Sequence, residues 1–371
     1  MAKIICTVTN DLNFDQRMIR ICTSLAEASH EVILVGRERP YSPPLQQQPF
    51  VQRRFRCLFN TGKLFYLEFN LRLLFYLLFS RFDVVNSVDL DTLLPGFSAA
   101  RLKTKICVYD AHEYFTEVPE VVRRPAVQQV WEWLARQLIP RVHYAYTVCE
   151  SLAQVFYEKY GTSFEVIRNV PVAKSLQPAA SGTGGGPFVL LYQGAINEGR
   201  GLEESIQAMA QLEGCELWLA GEGDLSERLR HLTAEMKVRQ NVKFLGRLTP
   251  AGLAALTPQA HLGLNLLKNQ GLNYYYSLAN KAFDYIQAGL PSLNMAFPEY
   301  RQLNEQYGVF YLLEELRVPA IVRAVNELKS DGTLYKTLTV HCEKAAEILN
   351  WENEKPKLLA FYERVLLSIG R

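Results

Sequence analysis

The chain has 371 residues, 49% of them hydrophobic and 21% charged, and its 40 lysines and arginines against 38 acidic residues leave a formal net charge of +2. That length exceeds an ordinary single domain and is enough for two separate cores. So even a charge balance excludes the extended basic field of a nucleic-acid-binding protein, and no nucleic acid partner is expected.

Taken in chain order, the opening MAKIICTVTND reads as a strand and a turn and lacks the long apolar run of a signal peptide. The first half then offers the strand candidates KIICTVTN, EVILVG, DVVNSV, KICVYDA, HYAYTVC and FEVIRNV. A helix between the first two shows Met18, Ile19, Cys22, Leu25 and Ala26 on one face. This alternation predicts a parallel sheet covered by helices. The most apolar window, Leu64 to Phe79, contains Glu68 and Arg72, which argue against a membrane-spanning helix. Two readings stay open for it. Either it packs against the first sheet or, with Arg53, Arg54, Arg56 and Lys63 upstream, it makes peripheral contact with an anionic membrane surface. Cys6, Cys22, Cys57, Cys107, Cys149, Cys215 and Cys342 are never at C-x-x-C spacing and read as reduced core thiols of a cytoplasmic protein.

The stretch SGTGGGP suits neither helix nor strand, so residues 181–187 are expected to link an N-terminal domain, 1–180, to a second domain, 188–350. There the alternation restarts with FVLLYQGA, CELWLAG, NVKFLGR, HLGLNLL, PSLNMA and GVFYLL. Residues 351–371 read as a terminal helix that must dock, back on the first domain, to bury Leu358, Leu359, Tyr362, Val365 and Leu366. The fold class is therefore α/β, two tandem Rossmann-like domains. Ligands of such sheets bind at the carboxyl ends of the strands, which predicts an interdomain cleft.

Polar groups cluster after the strands of the second half. SLANKAFDYIQAGLP carries apolar Ala282, Phe283, Ile286 and Leu290 at helical spacing and stops at Gly289 and Pro291, yet it opens on Asn280-Lys281. A cation at the positive end of a helix needs either an anion beside it or a stem that packs while the ammonium reaches water. YQGAINEGRG puts Gly194 directly after a strand and Arg200-Gly201 at a helix start, where backbone and guanidinium could approach a phosphate. AGEGD and FLGR, the latter holding Gly246 and Arg247, are similar strand-end turns; alone, each is equally a tight αβ turn, and it is their joint occurrence that matters.

In order and spacing, YQGAINEGRG, LWLAGEGD, VKFLGRL and ANKAFDYIQAGLP resemble the donor domain of retaining GT-B-fold glycosyltransferases, in particular glycosyltransferase family 4. The first half agrees: NDLNFDQRMIRICTSLAEASHEVILVG, VVNSVDLDTLLPG, VYDAHEYFTEVPE and VIRNVP resemble the acceptor domain. The resemblance implies a nucleoside-diphosphate sugar as donor, a carbohydrate or glycolipid hydroxyl as acceptor, retention at the anomeric carbon and neither metal nor cofactor. It places the pyrophosphate at Asn280 and Lys281, with Arg200 as the basic residue of the phosphate-binding turn. A neighbouring family arginine falls on Ala195, and of two family glutamates the sugar-binding one falls on Tyr276 and the ribose-binding one on Asp284. His112 falls where the family histidine meets the donor sugar, so that His112, Arg200 and Lys281 form the expected catalytic set. Asp15, Gln16 and Arg17 are expected on the acceptor side; Glu113 and Glu117 either bind acceptor hydroxyls or are solvated loop carboxylates. The triplet Asp89-Leu90-Asp91 resembles the metal motif of the other glycosyltransferase fold but lies in the wrong domain for the donor. Two further readings are a non-catalytic GT-B-like binding protein and a GT-B sugar-nucleotide epimerase.

Overall fold

A computed structural model describes residues 1–173 and 186–370; of the expected linker, residues 181–185 lie outside the described residues. The chain divides into two compact units, Met1–Asn169 together with the chain from Asn353 onward, and Val170–Glu352.

The first unit holds seven strands: β1 (Lys3–Thr7), β2 (Glu31–Glu38), β3 (Val51–Arg56), β4 (Val84–Val88), β5 (Ile106–Ala111), β6 (Tyr144–Thr147) and β7 (Glu165–Val166). They pair in parallel in the order β3-β2-β1-β4-β5-β6-β7. The central strands are apolar runs because both faces are covered; β1 and β4 are almost wholly buried. Strand β3 is the element that apolar patterning does not predict. VQRRFR is an edge strand with no fully buried residue; Arg53 and Arg56 are exposed, while Arg54 Nη1 donates to the Pro43 carbonyl at 2.8 Å.

Helix Gln16–Glu27 starts on Asp15, whose Oδ1 accepts the Met18 amide at 3.1 Å, and buries Met18, Ile21, Cys22 and Leu25. Helix Gly62–Phe79 buries Phe65, Phe69, Leu73 and Leu77, four residues apart, in a core shared with Ile5, Val35, Val85 and Ala99. Packing against the sheet thus holds for one face of this segment. Among the described residues no helix is long and apolar enough to cross a membrane. In helix Trp351–Leu367, Leu358, Phe361, Tyr362 and Val365 are buried, and the Phe361 ring meets Tyr146 of β6 at 5.1 Å.

The second unit holds β8 (Phe188–Gln193), β9 (Cys215–Ala220), β10 (Val242–Gly246), β11 (Leu262–Asn265), β12 (Ser292–Met295) and β13 (Phe310–Leu313), all parallel in the order β10-β9-β8-β11-β12-β13. All six expected strands are present, and the chain reverses its direction of travel between β8 and β11, the switch point at which such sheets open a crevice. Helix Asn280–Gln287 packs there through Ala282, Phe283, Tyr285 and Ile286. Tyr285 Oη donates to the Leu191 carbonyl at 3.0 Å, tying the helix to the end of β8.

Candidate functional site

In the second unit the turn after β8 and helix Asn280–Gln287 bring two cations together. Lys281 is only 8% exposed, and its Nζ lies 3.7 Å from the centroid of the Tyr192 ring. Burial pushes the Lys281 pKa well below its usual value, Arg200 pushes it further, and Asp284 opposes both. The Arg200 guanidinium lies over the Tyr274 ring at 4.9 Å, and its Nε is buried without a hydrogen-bond partner. Among the described residues neither cation makes a salt bridge. A desolvated ammonium beside a guanidinium costs free energy unless an anion joins them.

The glycines explain how close the backbone comes. Gly194 has φ +132°, and a Cβ there would lie 3.6 Å from Lys281 Nζ; at Gly221, φ +159°, a Cβ would stand 1.8 Å from the Gly194 carbonyl oxygen. The turns after β8 and β9 therefore pack main chain on main chain, and Gly194 is exposed directly above the Lys281 ammonium. Asp284, one helical turn after Asn280, accepts a hydrogen bond from Gln193 Nε2 at 3.1 Å, while Gln193 Oε1 accepts from Thr257 Oγ1 at 2.9 Å. Gly246, φ +68°, ends edge strand β10 on the far side of β9, and exposed Arg247 follows it. Asn280 is exposed at the helix start, and Tyr276 is half-buried with its ring 5.0 Å from that of Tyr275. The sequence reading did not single out Tyr192, Gln193 or Tyr274, which line this site from the expected phosphate-binding turn and the helix before Lys281.

In the first unit His112 closes a buried polar chain at the carboxyl end of β5. Arg17 Nη2 donates to Asp110 Oδ1 at 2.9 Å, with side chains 3% and 0% exposed, and Asp110 Oδ2 lies 3.1 Å from His112 Nε2. The His112 amide donates to Asp89 Oδ1 at 2.8 Å. Burial alone would lower the His112 pKa, but the Asp110 carboxylate overcomes it and raises the value. Asp110 is itself opposed by burial, yet Arg17 and His112 hold it down to about 2. The Asp110 carboxylate thus favours the protonated form of His112. Asp110 went unread in the sequence, although a charged residue inside an apolar strand run demands a partner.

The remaining candidates of this unit are engaged as follows. Arg17 turns into the fold, where its Nη1 also donates to the Ile167 carbonyl at 3.1 Å. Asp15 caps its helix and accepts from Asn10 Nδ2 at 3.0 Å, while Gln16 is exposed. Glu117 accepts from Gln128 Nε2 at 3.2 Å, and Glu113 is half-buried. Asp91 accepts from Thr9 Oγ1 at 2.6 Å, and burial pushes its carboxyl up to about 7. Asp89, which burial also pushes up, is committed to the His112 amide.

Two parallel α/β sheets of seven and six strands, the second with Arg200 and Lys281 near its switch point and neither in a salt bridge, define a GT-B-type architecture. The chain belongs to this class of glycosyltransferases: residues 16–171 match the model described as Glycosyltransferase Family 4 and residues 174–346 that described as Glycosyl transferases group 1. The sucrose-phosphate synthase structure from Thermosynechococcus elongatus superposes with a TM-score of 0.84 at 16% identity, covering 99% of this chain and 100% of that one. The structure of HepE from Anabaena in complex with UDP and glucose superposes with a TM-score of 0.77 at 14% identity over 100% of both chains. At such identities the likeness is one of fold. Among curated proteins, the lipopolysaccharide core biosynthesis glycosyltransferase LpsD of Rhizobium meliloti (strain 1021) is 34% identical over 90 residues, 24% of this chain and 26% of that protein. The match therefore spans about a quarter of that relative's length.

Proposed function

We propose that this chain transfers a sugar from a nucleoside-diphosphate sugar to a hydroxyl of a carbohydrate or glycolipid acceptor, with retention at the anomeric carbon. The observation that carries the reading is the pair Lys281 and Arg200, drawn together beneath a glycine turn with neither in a salt bridge. In this reading the donor diphosphate supplies the missing anion, held by the two cations, the Gly194 turn and the amides at Asn280 and Lys281. The transition state gains most where negative charge builds on the departing diphosphate, which these groups meet without metal or cofactor. Asp284 orients the ribose, His112 meets the sugar, and the leaving phosphate assists the incoming hydroxyl on the same face. The bound UDP and glucose named for HepE support a nucleotide sugar, and the name of LpsD supports a glycolipid acceptor in cell-surface polysaccharide synthesis. The enzyme then works in the cytoplasm, at the inner face of the membrane.

Ala195 and Tyr276, where the family carries arginine and glutamate, favour a second reading, a protein that binds nucleotide sugar without turning it over. A thermal-shift panel of UDP, GDP, ADP and CMP, followed by donor-turnover assays with sugars of the stabilising nucleotide, tests both. One nucleoside diphosphate should raise the unfolding temperature, since a ligand of the folded state stabilises it. Stabilisation without donor hydrolysis or transfer would select the binding protein, and no stabilisation by any nucleotide would refute both.

A further inference from the structure

Helix Gly62–Phe79 is buried on one side only. Along the other, Leu64, Leu67, Leu71 and Phe75 recur three and four residues apart and are exposed, Phe75 at 58%, and Phe79 follows at 87%. Helix Pro125–Leu138 lies alongside, because its Trp131 ring meets Tyr66 edge to face at 5.4 Å. On that helix Val127, Val130 and Trp133 are exposed, the tryptophan at 60%. On the opposite flank the Glu68 carboxylate accepts the amides of Leu58 at 2.9 Å and Phe59 at 3.0 Å and the Arg72 Nε at 2.8 Å. This fastens loop 57–60 to the helix with the Leu58 side chain outward, and it uses the helix's one carboxylate internally. Monomers rarely expose an apolar patch beyond a few hundred Å² without a partner for it.

Unpaired cations border the face on the side of β3 and at the ends of helix Gly62–Phe79. Arg53, Lys63 and Arg81 are exposed and make no ion pair among the described residues. Arg53 stands on the same side of β3 as Phe55, whose ring packs on Phe69 and Tyr76 at 5.8 and 5.6 Å, so the arginine borders the helix. Two copies meeting through this face would set these cations against each other. Anionic lipid head groups would neutralise them while the leucines, phenylalanines and Trp133 enter the head-group boundary.

We propose that the paired helices Gly62–Phe79 and Pro125–Leu138, with loop 57–60, form a docking surface for an anionic lipid bilayer. The purpose of such docking rests on the reading of a lipid-linked acceptor, but the surface uses none of the donor-site residues. The test is cosedimentation of the nucleotide-free protein with phosphatidylcholine vesicles, with and without phosphatidylglycerol, at low and high salt. The protein should pellet with the anionic vesicles at low salt and be weakened by salt. Since each basic residue near such a surface contributes on the order of 1 kcal/mol, Arg53→Glu with Lys63→Glu should lower the partition coefficient by roughly tenfold or more. Leu71→Glu with Phe75→Glu should abolish it, while nucleoside-diphosphate affinity and the circular dichroism and thermal unfolding of the first unit stay those of the parent. Trp133→Phe, a mild change, should remove most of the tryptophan quenching caused by brominated phosphatidylglycerol. No pelleting at any salt, pelleting indifferent to these variants, or a dimer in sedimentation velocity that Leu71→Glu converts to monomer would each overturn the proposal. Vesicle binding and diphosphate binding can fail separately, so failure here leaves the donor site standing and the converse.

Discussion

Replacing Lys281 by methionine keeps most of the side chain's length and apolar stem and removes its charge. In the unliganded protein that charge is 8% exposed, faces Arg200, lies over the Tyr192 ring and is attracted by the Asp284 carboxylate without a salt bridge to it. A cation–π contact gives back about 0.5 to 2 kcal/mol, less than the several kcal/mol that desolvating an ion costs. The free variant should therefore be the more stable, by about 1 kcal/mol, which for a domain of this size is a rise of about 2–4 °C in Tm. Diphosphate affinity should move the other way. Hydrogen bonds to charged groups contribute about 1.5–3 kcal/mol, so the dissociation constant should rise roughly tenfold to a hundredfold. The pH dependence follows in sign. An unfolded lysine titrates near 10.4 as a reference value, and the folded one lies lower, so between the two the unfolded chain holds more protons. Stability of the free parent should rise with pH across that window and be lost as pH falls through the folded value, a slope the variant lacks. Diphosphate binding favours the ammonium, so it should take up a proton and weaken as pH rises. Calorimetry in buffers of different ionisation enthalpy, with thermal unfolding of both proteins, measures all of this. A variant that unfolds earlier than the parent and binds diphosphate equally well would show that Lys281 is a packing residue.

Arg200→Ala should weaken nucleoside-diphosphate binding by roughly tenfold or more, whereas His112→Ala should leave it nearly unchanged and lower turnover of the intact donor; calorimetry and saturated turnover on the two variants separate them. Chelation with EDTA should leave most donor turnover intact, and activity restored only by Mn²⁺ or Mg²⁺ would return Asp89 and Asp91 to consideration as ligands. Asp284→Asn should weaken ribonucleotides more than their 2′-deoxy or 3′-deoxy counterparts, and an equal loss on all of them would assign Asp284 to holding Gln193 instead. Asp110→Ala should destabilise the first unit by about 3–5 kcal/mol, because it strands the buried Arg17 charge, and denaturant unfolding reads the loss directly.

The second sheet is legible in the sequence because its strands are unbroken apolar runs such as FVLLYQ and CELWLA between glycine-bearing turns. VQRRFR escapes the same reading because an edge strand needs no apolar face, and its arginines point to charge rather than pairing. Candidate phosphate groups are legible wherever a residue type is odd for its position, as Lys281 is at a helix start. Their burial is not, since it depends on Tyr192, 89 positions earlier in the chain, lying beneath the ammonium. The Arg17–Asp110 pair is hidden for the same reason: its members are 93 residues apart and only the folded sheet brings them within 2.9 Å. What the sequence does supply is Asp110 itself, an anion in the middle of VYDAHE whose partner has to exist somewhere in the chain.

The main-chain contact between Gly221 and Gly194 carries a consequence for how the donor turn meets a ligand. A turn wedged against another turn by backbone atoms has no rotamers to freeze, so it can receive a phosphate with little loss of entropy. The same wedge makes residue 221 sensitive at a distance. An alanine there would need the Gly194 carbonyl to retreat from a carbon 1.8 Å away, displacing the turn above Lys281 without itself touching anything bound. A mutational survey scored by nucleotide affinity would then mark Gly221 as a binding position, although its contribution is the shape of an empty loop.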